Sequence, residues 1–163
     1  EGLVDIVAVG DDLGSQNGPL LSPAMYRDLI KPYQALVYER IRDRSSARLF
    51  LHCCGGVFPI IDDLVEIGVQ ILNPVQTSAR DMDPEVLTRR WGRNLVFWGG
   101  GVDTQCVLPR GTPEQVAADV RRRMAIFRTG GGYVFNGIHN ILAGVPPENV
   151  VAMYDAAIES GRF

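Results

Sequence analysis

Arg48-Leu49-Phe50-Leu51-His52-Cys53-Cys54-Gly55-Gly56-Val57-Phe58-Pro59-Ile60-Ile61-Asp62-Asp63-Leu64-Val65-Glu66-Ile67-Gly68-Val69-Gln70-Ile71-Leu72-Asn73-Pro74 is the stretch that decides the fold. Arg48–Leu51 is a short apolar run of strand character that delivers His52, Cys54 and two glycines. Val57–Ile67 then places Phe58, Ile61, Leu64 and Val65 at helical spacing, and Gly68 stops the pattern. Val69–Leu72 is a second strand, ending at Asn73-Pro74-Val75-Gln76. Strand, helix and strand without a hairpin turn between them imply two parallel strands joined by a right-handed crossover.

The same unit repeats outward in both directions. Asp5–Val9 is a strand ending at Gly10-Asp11-Asp12, and Ser22-Pro23 opens a helix expected to run to about Arg42 with a kink near Pro32. Asp83-Pro84 opens a short helix that closes at Gly92. Leu95–Trp98 is a fourth strand, feeding Gly99-Gly100-Gly101-Val102-Asp103. Thr112-Pro113-Glu114-Gln115 is a capping box, and its helix carries Val116, Val120, Met124 and Phe127 on one face. Gly130-Gly131-Gly132 reads as a C-cap and turn, Tyr133–Phe135 as the fifth strand, and a last helix starts near Pro147 and stops at Gly161. No hairpin signal stands out. The expectation is one α/β domain over residues 1–163, built from about five βα units around a parallel sheet. An open doubly wound sheet and part of a (β/α)8 barrel both fit, and five units cannot close an eight-stranded barrel.

Composition narrows the function classes. A chain of 163 residues that is 46% hydrophobic can bury a core, which argues against disorder. A formal net charge of −3 gives no basic footprint for nucleic acid, and no apolar run approaches a membrane span. Three cysteines, two of them adjacent, make no disulfide framework, so the expected setting is reducing and cytoplasmic. The chain begins at Glu1 without a signal pattern and reads as a piece of a longer protein.

Polar residues concentrate at strand ends: Asp11, Asp12, His52, Cys54, Asn73, Gln76, Asp103 and His139. In parallel α/β folds that edge carries the active site. His52 and Cys54 form an H-x-C pair whose side chains share one side of an extended segment, so an imidazole and a thiolate can meet one ion, zinc above all. His139 and Cys106 compete for a third position, and simple packing of the cysteine is the alternative. Cys53 is expected in the core. Neither glycine triplet matches a nucleotide-phosphate pattern. Arg121-Arg122-Arg123 reads as a solvated helix face, and Asp62-Asp63 and Asp81/Asp83 as cap and surface groups.

Several ordered segments are similar to one family. His139-Asn140-Ile141-Leu142-Ala143-Gly144-Val145-Pro146-Pro147-Glu148-Asn149-Val150, preceded by Tyr133-Val134-Phe135-Asn136, resembles the C-terminal signature of the uroporphyrinogen decarboxylase superfamily. Leu20-Leu21-Ser22-Pro23 with Lys31-Pro32-Tyr33, Leu72-Asn73-Pro74-Val75-Gln76, and Trp98-Gly99-Gly100-Gly101-Val102-Asp103 resemble it in the same order. The resemblance implies the C-terminal part of a (β/α)8 barrel of roughly twice this length, with the N-terminal strands absent. It also implies self-association, or pairing with the missing barrel half.

Two branches of that superfamily supply the functional expectations. In zinc- and corrinoid-dependent methyltransferases an H-x-C-G motif gives two metal ligands, and His52-Cys53-Cys54-Gly55 matches it. His139 stands where a third ligand, usually cysteine, is found. The implied set is His52, Cys54 and His139 for zinc, His139 and Asp103 as candidate catalytic residues, and Asp12, Asn73 and Gln76 for substrate. The implied donor or partner is methylcobalamin or a corrinoid protein, with a thiol or related acceptor. In the decarboxylase branch His139, three residues after Asn136, matches a cleft histidine, with Asn140 in place of glycine. A catalytically incomplete fragment is the remaining expectation.

Overall fold

The computed structural model describes residues 3–129 and 132–161. The elements, in chain order, are β1 (Ile6–Gly10), β2 (Gly14–Ser15), β3 (Gly18–Pro19), α1 (Pro23–Leu29), α2 (Lys31–Arg44) and β4 (Arg48–His52). A 3-10 turn (Phe58–Ile60) leads into α3 (Ile61–Glu66), followed by β5 (Ile71–Asn73), α4 (Pro84–Trp91), β6 (Val96–Trp98) and α5 (Val107–Arg110). The chain continues with α6 (Pro113–Phe127), β7 (Tyr133–Val134) and α7 (Pro147–Gly161).

The five long-range strands pair in parallel, in the order β1-β4-β5-β6-β7. That order follows the chain without reversing. A doubly wound sheet reverses at a switch point, whereas barrel strands wind in one direction, so the sheet is an arc of a barrel. The small antiparallel pair β2–β3 is a hairpin the sequence reading missed. Its signal is the polar Gly14-Ser15-Gln16-Asn17-Gly18 stretch, where Ser15 Oγ donates to Gly18 O and accepts from Asn17 N.

Three further readings are corrected. The helix expected over residues 22–42 is two helices that meet at Ile30, because Pro32 has no N–H to continue the first one. Ser22 and Thr112 cap α1 and α6 as expected. Asp63 is not a surface group: it is 5% exposed and takes Arg27 and Lys31 at 2.9 and 2.8 Å. Arg123 leaves the solvated face formed by Arg121 and Arg122; it is buried, with Nε donating to Asp119 and Nη1 to Thr77 Oγ1 and Gly100 O. The turn expected at Gly130-Gly131 lies outside the described residues.

Alternation along the strands sorts the two faces. Leu49, Leu51, Cys53, Leu72 and Phe97 join the buried cluster under the helices, with Leu64, Leu87, Trp91 and Phe127. A second cluster holds Val102, Leu108, Val116, Val120 and Met153. On the opposite face Ile6 and Ala8 are exposed, and Phe50, Val96, Trp98 and Val134 are half-buried. Phe50 and Trp98 meet edge-on there, with ring centroids 5.3 Å apart. Parallel sheets are normally covered on both faces, and here the helices cover one.

The Asp63 contacts set an acid limit. The Arg27 guanidinium, followed by the Lys31 ammonium, outweighs burial and holds the Asp63 carboxyl below its ordinary value. In acid the unfolded chain therefore takes up a proton at Asp63 before the folded chain does. Its stabilisation is fully present above the ordinary aspartate range and is lost as pH falls through the lowered value. Asp63→Asn is expected to cost about 2 kcal/mol at neutral pH and to flatten stability against pH below about 4. Urea melts at pH 7 and pH 3.5 check it; equal losses at both would contradict it.

Candidate metal and substrate site

Backbone ladders extend past the strand ends and hold the site loops. Asp11 N donates to His52 O at 3.0 Å, Cys53 N to Asn73 O at 2.7 Å, and Gly101 N to Asn136 O at 2.9 Å. The hairpin β2–β3 lies against the loop after β4, with Gly56 N donating to Ser15 O at 2.8 Å. The approach is close enough that a Cβ at Gly14 would sit 2.5 Å from Cys54 O. Gly55, at φ 84°, completes that turn in a conformation glycine adopts without cost.

His52, Cys54 and His139 converge. One donor atom of each lies within 4.8 Å of the others, and they form the His/Cys/Asp/Glu group suited to a metal among the described residues. Cys54 Sγ is 3.4 Å from His52 Nε2, and the two imidazole centroids are 5.6 Å apart. His139 reaches this place from the loop after β7 in a left-handed conformation, φ 64°, that few residues other than glycine adopt. Such a conformation costs on the order of 1 kcal/mol or more and concentrates at functional sites.

Asn73 fixes the chemistry of His52. Its amide nitrogen donates to Trp98 O at 2.9 Å, and that carbonyl can only accept. Its Oδ1 therefore faces His52 Nδ1, at 2.7 Å. Nδ1 must carry the proton, which leaves the Nε2 lone pair beside Cys54 Sγ. Two nitrogen donors, one sulfur and a carboxamide that orients one imidazole fit zinc. Asn73→Leu is expected to lower zinc affinity ten- to a hundredfold, while Asn73→Asp, which still accepts from Nδ1, keeps most of it. Competition titration with a chromogenic chelator reads both; equal affinity in the leucine variant would contradict the role.

Asp12 pins the loop. Its Oδ1 accepts from Cys54 N at 2.9 Å, and that hydrogen bond, ahead of the burial that opposes it, lowers its carboxyl. Burial, with Asp12 adding to it, pushes the Cys54 thiol up to about 11. Cys53 is buried in the core, as expected, and burial pushes it up to about 12.

The remaining sequence candidates hold loops in place. Gln76 accepts from Gly55 N at 2.9 Å and donates to Gln16 Oε1 at 2.8 Å, so its amide stitches two loops together. Asp103 Oδ1 accepts from Gln105 N and Cys106 N, both at 2.8 Å, which holds the turn that precedes α5. Cys106 is exposed, sits beside Arg110 and is not part of the donor group. Gln16, which receives both Gln76 and Gln105, was not singled out from sequence. No described helix is long and apolar enough to cross a membrane.

Comparison with known proteins gives a consistent picture. Residues 1–160 match the model of the uroporphyrinogen decarboxylase (URO-D) family. A uroporphyrinogen decarboxylase of Xylella fastidiosa is 28% identical over 152 residues, 89% of this chain and 41% of the relative. One of Syntrophotalea carbinolica is 25% identical over 138 residues, 85% of this chain and 38% of the relative. The chain thus spans about two fifths of the length of these curated relatives. Among solved structures, a methyltransferase from Methanosarcina mazei superposes with a TM-score of 0.70 at 22% identity, covering 95% of this chain and 42% of that one. At that identity the likeness establishes the fold, including the barrel-type winding.

Proposed function

The chain belongs to the uroporphyrinogen decarboxylase family, and from that premise we propose that it is the metal-bearing part of a zinc-dependent methyltransferase. The proposed reaction moves a methyl group between a corrinoid and a thiol or related acceptor. The observation that carries this reading is the convergence of His52, Cys54 and His139 within 4.8 Å, with Asn73 holding one imidazole in the donor tautomer. The methyltransferase likeness of the fold is compatible with it.

His52, Cys54 and His139 would hold the zinc. When bound, zinc supplies the positive charge that keeps an acceptor thiol ionised near neutral pH. The chain's own contributions are positional. Asn73 orients His52, Asp12 fixes the Cys54 backbone, and the Gln76–Gln16 pair closes the loops around Gly55. Three protein donors leave a position open for the acceptor, the pattern of a catalytic and not a structural zinc.

A second reading is decarboxylation of an acetate-bearing tetrapyrrole, favoured by the names of the curated relatives. A third is a fragment without turnover, favoured by the sheet face that no described helix covers. One experiment separates them: zinc-loaded chain is incubated with methylcobalamin and a thiol, and in parallel with uroporphyrinogen. Loss of the methylcobalamin absorbance supports the proposal. Carbon dioxide release from uroporphyrinogen without cobalamin turnover replaces it with the second reading. Silence in both assays replaces it with the third.

A further inference from the structure

A largely apolar cavity of 220 Å³, open to solvent on one side, lies between the β2–β3 hairpin and the start of α1. Leu13, Pro19, Leu21, Tyr26 and Ile60 form its wall, and Asp12 is the one charged residue lining it. Leu20, 62% exposed, also lines it and marks the side nearest solvent. The Tyr26 hydroxyl is already spent, donating to Gln34 Oε1 at 2.8 Å, so the ring offers the cavity only carbon. Asp12 joins the cavity to the donor cluster, because its carboxylate also takes Cys54 N at 2.9 Å. A ligand seated between Leu21 and Ile60 therefore shares Asp12 with the loop that carries Cys54.

We infer that this cavity seats an uncharged apolar group, an aromatic ring or a short alkyl chain, carried by the thiol acceptor that the metal cluster receives. The inference rests on the metal–thiol reading above and adds the substrate class to it. The size is right: an apolar cavity of about 150 Å³ already accepts benzene. The charge is selective, because a carboxylate at the wall repels a sulfonate, phosphate or carboxylate and leaves a neutral ring unopposed. Acceptors with an anionic tail are then poor, and aryl or alkyl thiols good.

Two measurements test it. In the first, toluene is titrated into metal-free chain labelled at Leu and Ile methyl groups. Saturable shifts at Leu13, Leu21 and Ile60 are expected, and both Leu21→Trp and Leu13→Phe, which fill the space from different walls, abolish them. Absent shifts, or shifts that survive both variants, overturn the inference. In the second, cobalt(II)-loaded chain is titrated with benzyl mercaptan and with 2-mercaptoethanol, and the sulfur-to-cobalt absorbance is followed. Benzyl mercaptan is expected to bind about tenfold tighter. Leu21→Trp is expected to erase that preference and leave 2-mercaptoethanol unchanged. Equal affinities for the two thiols overturn the cavity's role alone. Toluene shifts without any thiol band overturn the metal–thiol reading and the substrate assignment that rests on it.

Discussion

Cys54→Ser is expected to lower zinc affinity by on the order of a hundredfold or more, and the purified variant to carry little or no zinc where about one per molecule is expected in the parent chain. A thiolate is the softest and strongest of the three donors for zinc, and a serine hydroxyl does not ionise near neutral pH. Serine also keeps the volume and the backbone N–H that Asp12 holds, so the loop stays in place. The pH dependence follows from the same site. With its thiol pushed up to about 11, Cys54 is protonated at neutral pH, and an incoming metal must expel that proton. Apparent zinc affinity in the parent chain therefore rises with pH, close to tenfold per unit over the neutral range, and in the serine variant this component is gone. Plasma emission for metal content and chelator competition at pH 6, 7 and 8 check both statements. Parent-like zinc in the variant, or affinity flat with pH in the parent, would falsify the ligand role of Cys54.

The second large effect is on stability. Phe127→Ala is expected to cost about 3–5 kcal/mol, enough to unfold a marginal domain near body temperature. Phe127 is 1% exposed at the end of α6. Its ring stacks on Tyr133 at 4.8 Å with planes 7° apart and meets Phe97 at 5.6 Å. It also backs the glycine loop after β6: a Cβ on Gly100 would lie 3.2 Å from the ring. Removing the ring leaves a void against two strands and one loop that cannot close over it together. Phe127→Leu, which keeps much of the volume, is expected to lose less than half as much. Urea denaturation gives the numbers; a loss under 1 kcal/mol for the alanine variant would show that the second cluster, under Val116 and Met153, carries the stability instead.

The winding of the sheet was legible because each strand of the parallel sheet is a short apolar run and α1, α4 and α6 open with side-chain caps. Ser22, Asp83 and Thr112 all accept from the first turn of their helices as their spacing requires. The convergence of the donor side chains was legible for a related reason. The H-x-C spacing puts His52 and Cys54 on one side of an extended segment, and strand order brings the β4 and β7 ends to the same edge. Asp63 and Arg123 were misread because charge outweighed position in the reading. Arg123 falls three residues after Val120 and seven after Val116, on the apolar face of α6, with Asp119 one turn before it. Asp63 likewise lies three residues after Ile60 and four before Ile67, and Lys31 and Arg27 stand one turn apart on the chain that covers it. The hairpin escaped because its strands are two residues each, too short to show alternation. The stitching role of Gln76 depends on which loop folds over which, and spacing alone does not record that.

The chain-ordered strands make β1 an attachment point for protein engineering. Gly10 and His52 end their ladder side by side, yet the donor cluster is braced from β5 and β6, through Asn73 and Trp98, on the far side of β4. The outer edge of β1 still offers the backbone groups that its pairing with Arg48–His52 leaves free. A designed βα unit grafted there would extend the ladder along Ile6–Gly10 without displacing a single donor atom. Graft and donor cluster then communicate through the loop after β1, where Asp12 holds Cys54 N.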